Sequence, residues 1–191
     1  YLLSDGLYVI LYKVIGYRKK VVLKNISNSF PERSREEHVQ IMSAFYRHFC
    51  DLVVESIKVF TISRQEVEQR FTVINPEFMD RFFDKGQSVI IAGGHYNNWE
   101  LLAVAIDGPV KHKVLALYKA FKNQWLDGKM KSSRGKYGLE MISTKIAKSA
   151  FQREDLHAII FGVDQSPSKS NNCYWGTFLN QDTPMIFGAE K

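Results

Sequence analysis

Covalent staples are almost missing from this chain. Its 191 residues include 2 cysteines, Cys50 and Cys173, too few and too far apart for a disulfide framework. Neither belongs to a Cys-x-x-Cys pair, so no zinc-ligand pattern is present and a reducing compartment is the natural reading. Long hydrophobic runs are missing too: no stretch of about 18 apolar residues occurs, so the sequence contains no complete transmembrane helix. The apolar fraction of 45% excludes a multi-span membrane protein and suits one globular domain with a substantial core. There is no internal repeat or low-complexity tract. Helix-turn-helix, zinc-finger and aromatic-glycine RNA-binding patterns are all lacking, so nucleic acid is not the expected partner.

Acid is scarce in one place. Residues 111–136 hold eight Lys/Arg against the single acid Asp127, a surplus larger than the net +6 of the whole chain. Such a segment points to an anionic partner: phosphorylated lipid headgroups or an acidic carrier protein, with a solvated basic loop as the plain alternative. The first 17 residues are apolar with interspersed tyrosines, then Arg18-Lys19-Lys20. That pattern fits either a membrane-interface segment or a packed core helix. The chain opens at Tyr1 rather than methionine and stops just after Met185-Ile186-Phe187, so it reads as trimmed at both ends, with room for a membrane anchor outside it.

Periodicity predicts helices over about 35–59, 63–70, 76–83, 97–107, 121–135 and 144–153. Ser34-Arg35-Glu36-Glu37 reads as a cap with first-turn acids for the longest of them. That helix carries Ile41, Phe45, Phe49, Leu52 and Ile57 at helical spacings. Strand-like runs are 71–74, 88–93, 113–118, 139–143 and 156–163, and in the second half they alternate with helices. That rhythm predicts a mainly parallel α/β sheet behind an N-terminal helical segment. His38 and His48 fall inside the long helix, and His112 and His157 at strand starts facing solvent or the core surface.

The chemistry concentrates at Gly93-Gly94-His95-Tyr96-Asn97-Asn98-Trp99-Glu100. The glycines let the backbone turn after a buried strand, and α/β folds bind ligands at strand-to-helix crossings of this kind. If Glu100 folds back onto one imidazole nitrogen of His95, it fixes the tautomer and leaves the other nitrogen as a general base.

These features together resemble the lipid A biosynthesis acyltransferases, a branch of the lysophospholipid acyltransferase superfamily. The most specific element is His-x4-Glu, His95 to Glu100. Asn25 with Phe30-Pro31-Glu32 matches an upstream element. Tyr118-Lys119, Lys122-Asn123 and Arg134-Gly135 match a basic block, with Lys119 standing where arginine is usual. Asp164-Gln165, Trp175-Gly176 and Thr183-Pro184 follow in the family's order. The resemblance implies a glycerol-3-phosphate acyltransferase-like α/β fold: a membrane-proximal segment over 1–20, a helical region over 21–83 and a catalytic core over 84–191. It implies acyl transfer from acyl carrier protein to a hydroxyl of a phosphorylated lipid A precursor, on the cytoplasmic face of the inner membrane, with no cofactor and no metal. His95 is then the base and Glu100 its orienter, while Lys119, Lys122, Asn123, Arg134, Asp164, Gln165 and Thr183 bind substrate. Backbone amides near Gly93-Gly94, or Arg134, are the expected oxyanion donors. Two alternatives stay open: a glycerophospholipid or phosphatidylinositol mannoside-type acceptor, and a non-catalytic module that binds anionic lipid.

Overall fold

The computed structural model describes residues 1–167 and 173–186. The chain forms two compact units, one built from Tyr1–Ile57 with Ser166–Ile186, the other centred on Lys58–Gln165.

In the first unit, helix α1 (Leu2–Tyr8) runs into a π-helical stretch, Val9–Ile15, that ends at Gly16 in the left-handed region. Helix α2 (Lys19–Ser29) and the long α3 (Arg35–Val59) follow. Helix α3 starts on a reciprocal cap: Glu37 N–H donates to the Ser34 hydroxyl, and Ser34 N–H to the Glu37 carboxylate. Tyr8 and Tyr12 project from the N-terminal segment onto Met42, Tyr46 and Cys50 of α3, with successive tyrosine rings 5.1 Å apart and the Tyr8 hydroxyl 2.9 Å from that of Ser43.

The buried stripe of α3 is therefore His38, Met42, Tyr46 and Cys50, four residues apart. The expected stripe is not the core: Phe45 and Ile57 are exposed, and Phe45 stacks on Phe49 at the surface. The docking tyrosines choose the face, because their hydroxyls need partners as well as apolar contact. The packed-helix reading of the first 17 residues holds in part. One side is core, while Leu2, Leu3, Val9, Ile10, Val14 and Ile15 remain exposed.

The unit also holds a hairpin missing from the sequence-based expectation, β5 (Cys173–Phe178) and β6 (Gln181–Ile186). Its two-residue turn, Leu179-Asn180, has positive φ at both positions, as a primed turn requires. Trp175-Gly176 and Thr183-Pro184 lie directly opposite each other across it. Gln181 ties the hairpin to Asn28 and Ser29 at the end of α2.

The second unit is the α/β layer. After α4 (Arg64–Arg70) and α5 (Glu77–Phe83) come β1 (Val89–Gly93), α6 (Trp99–Ala105), β2 (Lys113–Tyr118), α7 (Gln124–Gly135), β3 (Glu140–Ser143), α8 (Ala147–Ala150) and β4 (His157–Gly162). The four strands form a parallel sheet in the order β1-β4-β2-β3. Alternation along β2 and β4 feeds both faces. Val114 packs with Ile106 and Val110 on one side, while Leu115 and Ile159 pack with Ala150 of α8 on the other.

Residues 71–74 do not form the predicted strand. They find no partner among the described strands and run as a connector, with Phe71 and Val73 packed against neighbouring core clusters. His112 and His157 are buried rather than solvent-facing. His112 Nε2 bonds the Gln87 carbonyl, and His157 Nδ1 the Asp155 carbonyl.

The α3 face assignment is checked by truncation. Met42→Ala should cost about 2–5 kcal/mol of stability in denaturant unfolding, and Phe45→Ala well under half of that. Equal costs would show that the buried stripe is misassigned.

Candidate active site

β1 and β4 are neighbours in register, with Gly93 level with Gly162. The ladder runs one bond further, from Val163 N–H to the Gly93 carbonyl at 2.9 Å. Two residues beyond each glycine stand His95 and Asp164, so parallel pairing delivers them to the same level at the C-terminal edge of the sheet. Asp164 accepts twice from His95: Oδ2 from the backbone N–H at 2.6 Å, and Oδ1 lies 2.7 Å from Nδ1. Burial pushes the Asp164 carboxyl up, but the hydrogen bonds from the His95 side chain and backbone outweigh it and hold the group below its ordinary value. At neutral pH it is a carboxylate, an acceptor only, so the proton in this bond belongs to Nδ1. Nε2 then carries the lone pair, with the Gln165 amide nitrogen 3.4 Å away. Trp99 holds the ring edge-on, with centroids 5.4 Å apart.

The glycines contribute space more than a bend. Neither Gly93 nor Gly94 has positive φ; the left-handed residue of this loop is Asn97 at φ 54°. A Cβ on Gly162 would stand 2.8 Å from His95 Cε1, and one on Gly94 would stand 3.1 Å from Asp164 Oδ2. The pair fits because both positions lack side chains. Asn98 then caps α6, its side-chain oxygen accepting from Leu101 N–H at 2.9 Å.

Glu100 does not make the expected contact with His95. It is buried in the first turn of α6, and both its oxygens are taken by Arg134 of α7, at 2.8 Å from Nε and 2.5 Å from Nη2. With the Arg134 side chain also largely buried, this two-pronged pair clamps α6 to α7. The expected His95–Glu100 bond is replaced by His95–Asp164, because a buried guanidinium competes for Glu100 while Asp164 sits level with the imidazole. The same pairing occupies two nitrogens of Arg134, expected to grip phosphate.

A cavity of about 550 Å³ opens at this edge and runs beneath α6. Its mouth carries His95, Gln165, Lys119 and Phe121, with Arg134 in its wall; its interior is apolar, including Leu102, Ala103, Ile106, Met141 and Ile160. By strand register, Leu139 at the far end lies about four residues from the Gly93 level, roughly 13 Å along the strands.

Four further sequence candidates distribute as follows. Lys119 lines the cavity. Asn123 caps α7, accepting from Leu126 N–H at 3.1 Å, and Lys122 beside it is exposed. Thr183 lies on β6 in the first unit, its hydroxyl donating to the Gln181 carbonyl. One organising residue was missed by the sequence reading. Asp127 accepts from the Tyr118 hydroxyl at 3.0 Å and from Phe121 N–H at 2.8 Å, fixing the loop between β2 and α7. As the single acid within the basic segment it was already conspicuous.

The pattern describing bacterial lipid A biosynthesis acyltransferases matches residues 3–165. The chain belongs to that family. No curated protein matches it as a relative. Membership makes the protein an acyltransferase of the lipid A biosynthesis class, the family that the sequence resembles.

Two outcomes separate the carboxylates of this acyltransferase. Glu100→Ala strands a buried guanidinium, so it should cost about 3–5 kcal/mol and show as a clear fall in Tm. Asp164→Asn, at a half-exposed pair, should lower Tm by clearly less. The linkage sign for Asp164 follows from its lowered pKa: its stabilisation is present above the unfolded carboxylate pKa and is lost as pH falls through the lower folded value. Acid titration of Asp164→Asn should therefore lack the part of the acid-side stability loss that this carboxyl causes, and unchanged acid unfolding would contradict the pairing.

Proposed function

We propose that this enzyme transfers a fatty acyl chain from an acyl carrier protein thioester to a hydroxyl of a phosphorylated lipid A precursor, with His95 Nε2 as general base and Asp164 as its orienter. The reading is carried by one observation: a tautomer-fixed imidazole at the mouth of a deep apolar cavity. The acceptor hydroxyl loses its proton to Nε2 as its oxygen attacks the thioester carbonyl carbon. The tetrahedral intermediate then collapses, the carbon–sulfur bond breaks, and the departing thiolate takes the proton back from the imidazolium. No enzyme nucleophile is required. The apolar interior suits the acyl chain, and Lys119 at the rim suits a phosphate or the developing oxyanion.

A place at the cytoplasmic face of the inner membrane is consistent with the exposed apolar side of the N-terminal segment and the adjoining Arg18-Lys19-Lys20. Among the described residues no helix is long and apolar enough to cross a membrane, so the reading is of surface attachment by this part of the chain.

His95→Ala should lower turnover by about 10²–10⁴-fold with the fold intact, and Asp164→Asn should lower it through loss of the tautomer. Product mass spectrometry with acyl carrier protein donors and lipid acceptors measures both; near-normal turnover by folded His95→Ala would refute the assignment. In the same assay Ala103→Leu, narrowing the cavity beneath α6, should shift preference toward shorter acyl donors, and an unchanged chain-length profile would move the acyl chain out of this cavity.

A further inference from the structure

The basic segment divides in two once its partners are known. Lys111 bonds Asp80 and Asp84, Lys113 the Gly138 carbonyl with Asp107 alongside, Arg134 is held by Glu100, and Lys136 bonds the Val59 and Ile62 carbonyls. These four serve the fold. The other four, Lys119, Lys122, Lys129 and Lys131, pair with no carboxylate among the described residues, and all stand on the β2–α7 loop or on α7 as far as Lys131. Exposed apolar side chains share that stretch. Trp125 is 71% exposed, Phe121 42% and Leu126 37%. Lys129 reaches over the Trp125 ring at 5.8 Å, and Lys131 over that of Tyr118 at 6.0 Å. The Asp127 clamp on Tyr118 and Phe121 and the Asn123 cap hold the loop in place.

We propose that this ridge docks the cavity mouth onto an anionic bilayer, with Phe121 and Trp125 entering the headgroup layer and the four lysines meeting lipid phosphates. The inference deepens the membrane part of the function proposed above and rests on it. A soluble phosphate would engage the lysines and give the aromatic rings no place to go. A bilayer offers a plane of phosphates over an apolar layer, which lysine stems and an interfacial indole span together. Phe121 both lines the cavity mouth and stands on the ridge, so docking here would open the cavity toward lipid.

The test reads binding without turnover, so it stands or falls separately from catalysis. The full chain is mixed with vesicles of phosphatidylcholine, with or without phosphatidylglycerol, some carrying brominated acyl chains. Trp125→Phe should lose a distinct part of the brominated-lipid quenching shown by the wild type, the remainder coming from Trp99 and Trp175. Lys122→Gln combined with Lys129→Gln should weaken partition onto phosphatidylglycerol vesicles roughly 25-fold, about fivefold per lysine, and should hardly change it on pure phosphatidylcholine. Ile74→Ala, which removes an exposed apolar side chain elsewhere, should change neither. Unchanged quenching in Trp125→Phe together with unchanged partition of the double variant overturns the proposal. So does a double variant that binds vesicles normally and loses acyl carrier protein, which would make the ridge a protein-docking surface.

Discussion

The candidate site depends on the parallel pairing of β1 with β4. A parallel ladder fixes which residues of two distant segments stand at the same height, and here it ends with Gly93 beside Gly162. Everything chemical follows from the next two residues of each strand. His95 receives a carboxylate on its backbone N–H and its Nδ1 from a residue 69 positions away. A slip of one residue would turn one side chain to the opposite face and separate the two. The absence of side chains at Gly94 and Gly162 is part of the same constraint, since either Cβ would press on the pair.

Around that pair the structure separates acid roles that a linear motif runs together. In His-x4-Glu the glutamate is near in sequence, yet its position in the first turn of α6 sends it to the α7 guanidinium. That ion pair is buried, and buried pairs are costly to half-remove while adding little net stability when whole. Its contribution is geometric: it locks α6, which carries Trp99 and roofs the cavity, against α7, which carries the loop with Lys119 and Phe121. The motif thus supplies an imidazole and a brace, and the carboxylate that bonds the imidazole arrives from the Asp-Gln element on the neighbouring strand.

Much of this was legible in the chain. All four parallel strands fall within a residue or two of where β-branched runs predicted them, and α3 has the bounds its cap and periodicity suggested. His95, Asp164, Gln165, Lys119 and Arg134 do converge on one cavity or its immediate wall. Strand order was not legible. Local periodicity carries no information on which strands are neighbours, so Asp164 read as a substrate contact and Glu100, five residues from the histidine, took its place. The buried face of α3 escaped for a related reason: two tyrosines from another helix select it, and tyrosine is apolar in the ring and polar at the tip. The hairpin was hidden because Leu179 at positive φ is no turn signal, and the irregular 71–74 connector looked like a strand only by composition.

Asp164, not Glu100, holds Nδ1 of His95, and its acceptor-only carboxylate sets the tautomer. Nitrogen-15 chemical shifts of the His95 ring at a pH where it is neutral test it most directly, because they report which nitrogen bears the proton. The Asp164 bond predicts a protonated Nδ1 and a bare Nε2 in the wild type, preserved in Glu100→Gln and lost or mixed in Asp164→Asn. A protonated Nε2 in the wild type, or a tautomer that responds to Glu100→Gln and ignores Asp164→Asn, would contradict it.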